Sequence, residues 1–143
     1  MLKLEIISPF EKVLSTEAKQ VILPTQMGEV GLLKGHVPLM TQLKLGVLKV
    51  FSSGGEVSYA IKGGYAQLVA NTVSVLTDEA RASSDINAAD LQTEISALEK
   101  KLVDLESEAE ASGTKEHASA HQQERIREAL RFCQLQASLL NQR

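Results

Sequence analysis

The sequence predicts an α+β protein with an N-terminal antiparallel β-sandwich, residues 1–84, followed by a C-terminal antiparallel two-helix hairpin, residues 85–143. Three observations predict this division. Eight of the nine glycines and all three prolines lie within residues 1–64, so turns are concentrated in the first part. Apolar residues alternate there with a period of two, as half-buried strands require. In the last part, apolar residues recur at the spacing of a helix that packs along one side.

The alternation predicts short strands separated by turns. Leu2, Leu4 and Ile6 would share one face of the first strand. Turn signals stand at residues 53–55 and 62–64. Because no helix interrupts the strands to make a parallel crossover, we expect the sheet to be largely antiparallel. The same alternation predicts further strands at 20–23, 47–51, 57–61, 66–70 and 73–76.

Two apolar stripes predict two helices that pack against each other. The short segment 111–114 between them is small and flexible, which favours an antiparallel hairpin. Asn87 is the predicted cap of the first helix, and the second helix begins near either Thr114 or Ser119. The first stripe comprises Leu91, Ile95, Leu98, Leu102, Leu105 and Ala109, and the second comprises Ile126, Leu130, Cys133, Ala137 and Leu140.

The predicted hairpin is weakly held. Each stripe is one residue wide, and residues 115–125 contain no large aliphatic side chain. Glu106, Glu108 and Glu110 lie at the C-terminal end of the first helix, where the helix dipole disfavours negative charge. One interpretation is a mechanical switch whose packed and extended states differ little in free energy. The other is a frayed C-terminal appendage.

Composition excludes several classes of protein. A net charge of -3 and 3% aromatic residues argue against nucleic acid as a partner. The single cysteine, Cys133, predicts a reducing compartment and a small buried side chain rather than a disulfide. The N-terminus shows no signal-peptide pattern, and no apolar run is long enough to cross a membrane. We expect a soluble chain, although a presequence already removed would leave no trace.

No set of residues predicts catalysis. His117 and His121 could share a metal ion with Glu116 or Glu124, but two solvated helix residues are the simpler interpretation. His36 has no nucleophile beside it, and the glycine-rich segment 28–35 follows neither phosphate-binding pattern. The residues therefore predict a non-catalytic binding or coupling protein with no metal. A ligand-sensing adaptor with a helical output is the alternative function, and an enzyme would require a reactive role for His36.

Two consecutive segments closely resemble the epsilon subunit of rotary F-type ATP synthases. Residues 28–39 read GEVGLLKGHVPL, against the family pattern G-E-x-G-I/L-L-P-G-H-x-P-L, and residues 43–50 read LKLGVLKV, against L-x-x-G-x-L/I-x-V/I. Residues 63–66 and 73–80 are similar to later strands of that family. The resemblance extends over residues 1–84 in sequence and over 85–143 in architecture.

The resemblance implies a non-catalytic central-stalk subunit that couples proton translocation to ATP synthesis. It implies contacts of the sandwich with the gamma subunit and the membrane-embedded c-ring. Among the residues at the matching motif, Glu29 corresponds to a c-ring contact and His36 to a gamma contact, and Gly31 belongs to the same interface. The complex would lie peripherally on the cytoplasmic face of a bacterial inner membrane or the stromal face of a thylakoid.

The family's C-terminal helices permit turnover when folded down and block ATP hydrolysis when they extend towards the catalytic alpha and beta subunits. Basic residues of the last helix make the inhibitory contact with an acidic segment of beta. The candidates for that contact in this chain are Arg125, Arg127 and Arg131. A solvated helix face is the alternative interpretation of the same arginines.

The sequence departs from the family pattern at Lys34 and at residues 118–123. Lys34 stands where the family has proline, so the turn loses a fixed φ and gains a charge. Some bacterial members bind ATP through a motif of the form I/L-D-x-x-R-A in the C-terminal helices. The aligned residues 118–123 lack both the aspartate and the arginine, so we expect no cofactor and weak or absent ATP binding.

Overall fold

The computed structural model describes residues 1–10, 12–112 and 117–141, with the side chains at 13 and 108–119 outside that description. The chain divides into two units, Met1–Asp85 and Ile86–Arg143.

The first unit is built from strands. In chain order they are β1 (Leu2–Ile7), β2 (Lys12–Ala18), β3 (Gln20–Thr25), β4 (Gly28–Leu33), β5 (Leu39–Ser52), β6 (Gly55–Val69), β7 (Thr72–Leu76) and β8 (Ala80–Ala82), followed by a short 3₁₀ turn at Ser83–Asp85. They form one sheet in the order β2-β1-β7-β6-β5-β3-β4, with β8 paired to β6. The alternation predicted for the first strand is confirmed, because Leu2, Leu4 and Ile6 are all fully buried.

One pair of strands differs from the antiparallel expectation. β1 and β7 run parallel, with Lys3 opposite Thr72 and Ile7 opposite Leu76. The other pairs of the described strands are antiparallel. A parallel pair needs a long crossover connection, which is usually a helix. Here the strands between β1 and β7 provide that connection, so the absence of a helix did not exclude a parallel pair.

The turn predicted at residues 62–64 is wrong, because β6 continues through it. Gly63 and Gly64 have φ angles of 86° and 121°, a region open to glycine at little cost. The side chains that belong to the core cluster change there from odd positions, such as Ile61, to even positions, such as Ala66 and Leu68. The glycine pair therefore turns the strand over without ending it.

The sheet closes around a single core. Leu4 of β1 and Leu32 of β4 belong to the same buried cluster, although β1 and β4 stand near opposite ends of the strand order. Such a sheet folds over on itself and packs its two halves face to face, which is the sandwich arrangement that the sequence predicts.

The second unit contains two long helices, α1 (Ala88–Ser112) and α2 (His117–Asn141). The predicted cap of α1 is confirmed, because the Asn87 Oδ1 atom accepts hydrogen bonds from the backbone N–H groups of Ala89 and Asp90 at 2.9 and 3.2 Å. The start proposed at Ser119 is wrong, since α2 is already helical at His117. The other proposed start, Thr114, lies outside the described residues.

The stripe on α1 is confirmed where it is described. Leu91 is buried, and Ile95, Leu98, Leu102 and Leu105 are half-buried, whereas the side chain of Ala109 lies outside the description. Among the α2 side chains that the structure describes, the most buried are Phe132, Cys133, Gln136 and Leu139, of which the sequence predicted only Cys133. The other predicted positions, Ile126, Leu130, Ala137 and Leu140, are half-buried, so the packed face of α2 is wider than the one-residue stripe that the sequence predicts.

Candidate functional site

Strand β4 presents two of the predicted contact residues on its outer side. Leu32 is fully buried and Val30 is half-buried, whereas Glu29, Gly31 and Leu33 are exposed. The strand stands at one end of the strand order. The glycine-rich segment 28–35, which the sequence did not predict as a strand, is therefore mostly an edge strand, and its alternation turns positions 29 and 31 towards solvent.

The third predicted residue, His36, closes a tight turn after β4. The His36 backbone N–H donates to the Leu33 carbonyl oxygen at 3.1 Å, and Gly35 between them has a φ of 85°. A hydrogen bond across four residues with a positive φ at the third defines a type II turn. The His36 side chain is exposed, and its Nδ1 atom lies 2.7 Å from the Val37 carbonyl oxygen.

Asn71 anchors this turn, a role that the sequence did not predict. The Gly35 backbone N–H donates to the Asn71 Oδ1 atom at 2.9 Å across 36 positions of sequence. Asn71 has a φ of 63° in the two-residue turn between β6 and β7. An asparagine after a strand is a recognisable turn signal, but no signal in the sequence pairs this turn with the one at His36.

The structure explains why the family pattern has proline at position 34. Lys34 is the second residue of the type II turn, a position where the φ of proline fits. Leu33 before it lies in strand β4 and is extended, which is the conformation that a residue preceding proline prefers.

We expect Lys34→Pro to raise the free energy of unfolding by about 0.4–1 kcal/mol, because it restricts the unfolded chain. Chemical denaturation measures the change.

A matched control for this substitution is Lys62→Pro. The Lys62 backbone N–H donates to the Glu79 carbonyl oxygen at 3.1 Å, and proline would remove that bond. We expect Lys62→Pro to destabilise the sheet. A loss of stability in Lys34→Pro as large as the loss in the control would contradict the type II assignment.

Large apolar side chains are exposed on the outside of the sheet. Tyr65 of β6 pairs with Leu76 of β7, and Met40 lies nearby on β5. Their exposed fractions are 57%, 49% and 73%. We call Met40, Tyr65 and Leu76 the apolar face. A cluster of exposed large apolar residues marks a surface that another molecule covers.

Two further exposed apolar residues flank the candidate contact residues. Met27, in the turn that joins β3 to β4, is 98% exposed, and Val37 follows His36 directly. Glu29, Gly31 and His36 thus lie among exposed apolar side chains on β4 and its two adjoining turns. Such a mixture of apolar and polar groups is typical of a protein contact surface.

Two ionisable side chains of the sheet unit have shifted pKa values. Hydrogen bonds from Lys3 and Lys12, whose Nζ atoms both lie 3.3 Å from the Glu5 carboxylate, lower the pKa of Glu5. Burial raises the pKa of the Tyr59 hydroxyl, and the negative charge of Asp85 adds to that shift. Neither group belongs to the candidate contact surface.

The arginines of the second candidate set are all exposed on α2. An Nη2 atom of Arg127 lies 3.4 Å from Oε1 of Glu106 on α1, so this ion pair bridges the two helices. An Nη2 atom of Arg131 lies 2.9 Å from Oε1 of Glu124 on the same helix. Exposed ion pairs of this kind contribute about 0–1 kcal/mol each, so both arginines can exchange partners easily.

The described residues offer no group of three or more His, Cys, Asp or Glu side chains that could hold a metal ion. Of the pair proposed for zinc, His121 is exposed, whereas the His117 side chain lies outside the described residues. The segment compared with the ATP motif, 118–123, is also only partly described. No helix within the described ranges has the length and apolar character needed to span a membrane.

The described residues of the sheet unit line open depressions, two of which are large. A depression of about 640 Å³ is lined mainly by polar and charged groups of both signs, among them Lys12, Asp78 and Arg81. The other, about 430 Å³, adjoins Tyr65 and Leu76 of the apolar face. The smaller depression is mostly apolar, but both are open to solvent and neither is the enclosed cavity that the ligand-sensing alternative predicts.

The sandwich, the exposed apolar face and the paired helices define a class of protein, namely a binding subunit with a strand-built contact domain and a helical tail. Comparison with known proteins identifies the family within this class. Residues 1–83 match the family described as ATP synthase, Delta/Epsilon chain, beta-sandwich domain. The chain belongs to the family of ATP synthase epsilon chains, which are non-catalytic subunits of that complex.

Individual relatives agree with this assignment. The ATP synthase epsilon chain of Synechococcus sp. (strain WH7803) is 36% identical over 105 residues, which cover 73% of this chain and 77% of the relative. The chloroplastic ATP synthase epsilon chain of Staurastrum punctulatum is 35% identical over 101 residues, covering 71% and 73%. Family membership favours a subunit of ATP synthase, a membrane-associated complex, over the ligand-sensing alternative.

Solved structures show a similar architecture. A chain in the cryo-EM structure of the Euglena gracilis mitochondrial ATP synthase, OSCP/F1/c-ring in rotational state 1, matches with a TM-score of 0.64 and 26% identity, covering 89% of this chain and 75% of that one. A chain in the Tetrahymena thermophila mitochondrial ATP synthase central stalk/c-ring structure matches with a TM-score of 0.50 and 15% identity, covering 61% and 70%. The second match shows the fold alone.

Proposed function

We propose that this chain is a rotor subunit whose sheet unit joins the gamma subunit to the c-ring and so helps to couple proton translocation to ATP synthesis. The observation that carries the proposal is the exposed apolar surface of the sheet unit. Met40 and Tyr65 remain mostly in water although the core of the same sheet is closed. A rotor subunit must bind its neighbours on several sides, and a covered apolar face satisfies that need.

Within this function, Glu29 contacts the c-ring, His36 contacts gamma, and Gly31 belongs to the same c-ring/gamma interface. Support comes from their exposure on β4 and in the turn after it. Gly31 is exposed and carries no side chain, so a partner can approach the β4 backbone closely at this point.

The helices restrain ATP hydrolysis by reaching the catalytic alpha and beta subunits in an extended arrangement. Arg125, Arg127 and Arg131 supply positive charge for an acidic segment of beta. Their exposure supports this role, and the ion pairs that hold Arg127 and Arg131 in the hairpin are weak enough to exchange. The half-buried stripe of α1 is consistent with a hairpin that can open.

We further propose that the complex places this chain peripherally on the cytoplasmic face of a bacterial inner membrane, or on the stromal face of a thylakoid. No cofactor is part of the proposed function. Residues 118–123 lack both the aspartate and the arginine of the ATP motif, which supports weak or absent ATP binding.

Neutralising the arginines tests the inhibitory role. In the assembled ATP synthase, we expect Arg125→Gln, Arg127→Gln and Arg131→Gln together to raise ATP hydrolysis severalfold, since each 1 kcal/mol of lost attraction weakens inhibition about fivefold. The effect should shrink as salt is added, because salt screens exposed charges. Steady-state hydrolysis at two ionic strengths measures both.

The matched control neutralises Lys100 and Lys101, which are exposed on α1. Lys100→Gln with Lys101→Gln should leave hydrolysis nearly unchanged. An equal rise in both variants would contradict a specific arginine contact.

Substitutions on the sheet unit test the contact residues there. His36→Ala and Glu29→Ala should each weaken binding to a gamma–c-ring assembly in a pull-down or surface-binding measurement. Unchanged binding of both variants would contradict the contact assignment.

A further inference from the structure

The turn between β6 and β7 has an unusual backbone. Val69 pairs with Thr72, which leaves only Ala70 and Asn71 in the loop, and their φ angles are 49° and 63°. Two residues with positive φ make a type I′ hairpin turn. Asparagine tolerates this conformation far better than most residues, so the Asn71 backbone and side chain are held in defined directions.

Asn71 joins three separate segments of the sheet unit. Its backbone carbonyl oxygen accepts a hydrogen bond from the Lys3 N–H at 2.9 Å, which fastens the turn to β1. Its Oδ1 atom accepts a hydrogen bond from the Gly35 N–H, also at 2.9 Å. The turn that carries His36 is thereby connected to the β1–β7 part of the sheet.

The His36 turn has few other restraints. Residues 33–38 are all exposed, and the bonds of His36 to Leu33 and to Val37 are local. Among the hydrogen bonds of the described residues, the bond to Asn71 is the one that ties residues 34–37 to a distant segment. Lys34 also lacks the fixed φ that proline would provide at this position. The orientation of His36 therefore depends on Asn71.

We propose that Asn71 is a positioning residue for the contact made by the His36 turn. The inference rests on the proposed function, in which that turn binds gamma. A turn that is already ordered before binding loses less conformational freedom on association, so the tether strengthens the contact without touching the partner. Asn71 takes over part of the stiffening role that proline at position 34 would have.

The test compares two substitutions of the full chain. Asn71→Gly keeps the positive φ and removes the acceptor, whereas Asn71→Asp keeps an acceptor in a residue that tolerates this φ. In Asn71→Gly, we expect the Gly35 amide hydrogen to exchange about fivefold faster, with the Leu48 amide of the core unchanged. Binding to a gamma–c-ring assembly should weaken by a similar factor. Asn71→Asp should resemble the wild type both in the exchange rate of the Gly35 amide and in binding to the gamma–c-ring assembly.

A rescue experiment separates positioning from general stability. Lys34→Pro added to Asn71→Gly should restore most of the lost binding, since proline stiffens the same turn independently. Unchanged exchange of Gly35 in Asn71→Gly would overturn the tether, and faster exchange with unchanged binding would overturn the positioning role. If His36→Ala binds normally while Gly35 exchange responds as expected, the proposed gamma contact fails and the tether stands.

Discussion

Replacing Gly64 by alanine should lower the free energy of unfolding of the sheet unit by at least about 3 kcal/mol, enough to unfold a marginally stable domain. Gly64 has a φ of 121°, and an added Cβ atom would collide with the Leu76 carbonyl oxygen. The same Cβ would lie 2.9 Å from the Leu76 carbonyl carbon and 3.0 Å from the Thr77 Cα atom. All three atoms are backbone, so relief requires moving β7 away from β6.

Gly55→Ala is the matched control. Gly55 has a similar φ of 115°, but an added Cβ atom would meet nothing within 4 Å. In Gly55→Ala the free energy of unfolding should therefore fall by only about 1–2 kcal/mol, which is the cost of holding an alanine at a positive φ. Chemical denaturation followed by circular dichroism measures both variants. Equal losses would show that the collision with β7 is relieved by a small shift, contrary to our expectation.

Leu48→Ala should lower the free energy of unfolding by about 2–5 kcal/mol. Leu48 is fully buried on β5 and belongs to the core that both halves of the sheet share. Truncation loses the favourable transfer of the leucine side chain from water into the core. It also leaves a cavity, because the backbone hydrogen bonds between neighbouring strands let them relax only partly. Denaturant titration of the full chain measures the loss.

Leu33→Ala makes the same chemical change on β4, where the side chain is 55% exposed. Its effect on stability should stay within about 0.5 kcal/mol. Because Leu33 lies beside the candidate contact residues, this variant also asks whether an exposed leucine contributes to binding rather than to folding. A loss in Leu33→Ala as large as in Leu48→Ala would contradict the burial on which the core assignment depends.

Local sequence determined a large part of the fold. The alternation of Leu2, Leu4 and Ile6 predicted a half-buried strand, and the stripe through Leu91 and Leu98 predicted a helix with one packed side. Asn87 could be assigned as a cap because its side chain bonds to backbone groups only two and three residues away. Each of these features depends on residues close together in the chain.

The family motif likewise identified the candidate contact segment before its geometry was known. Its strand character was missed, because three glycines within residues 28–35 obscure the alternation that exposes Glu29 and Gly31. The three glycines serve different purposes, since Gly28 and Gly35 have positive φ at turns, whereas Gly31 lies within the strand without a positive φ. Composition alone cannot separate these purposes.

By itself, then, the sequence determined the division into a strand-built part and a helical part, the buried faces of β1 and α1, and the family motif, since these follow from local periodicity and short-range hydrogen bonds. Only the tertiary structure decided that β1 pairs with β7 in parallel, that β6 passes through Gly63 and Gly64 unbroken, and that Asn71 holds the turn of His36. Each of these depends on segments that meet across the sheet. Their pairing follows from how the whole core closes, which no short stretch of residues encodes.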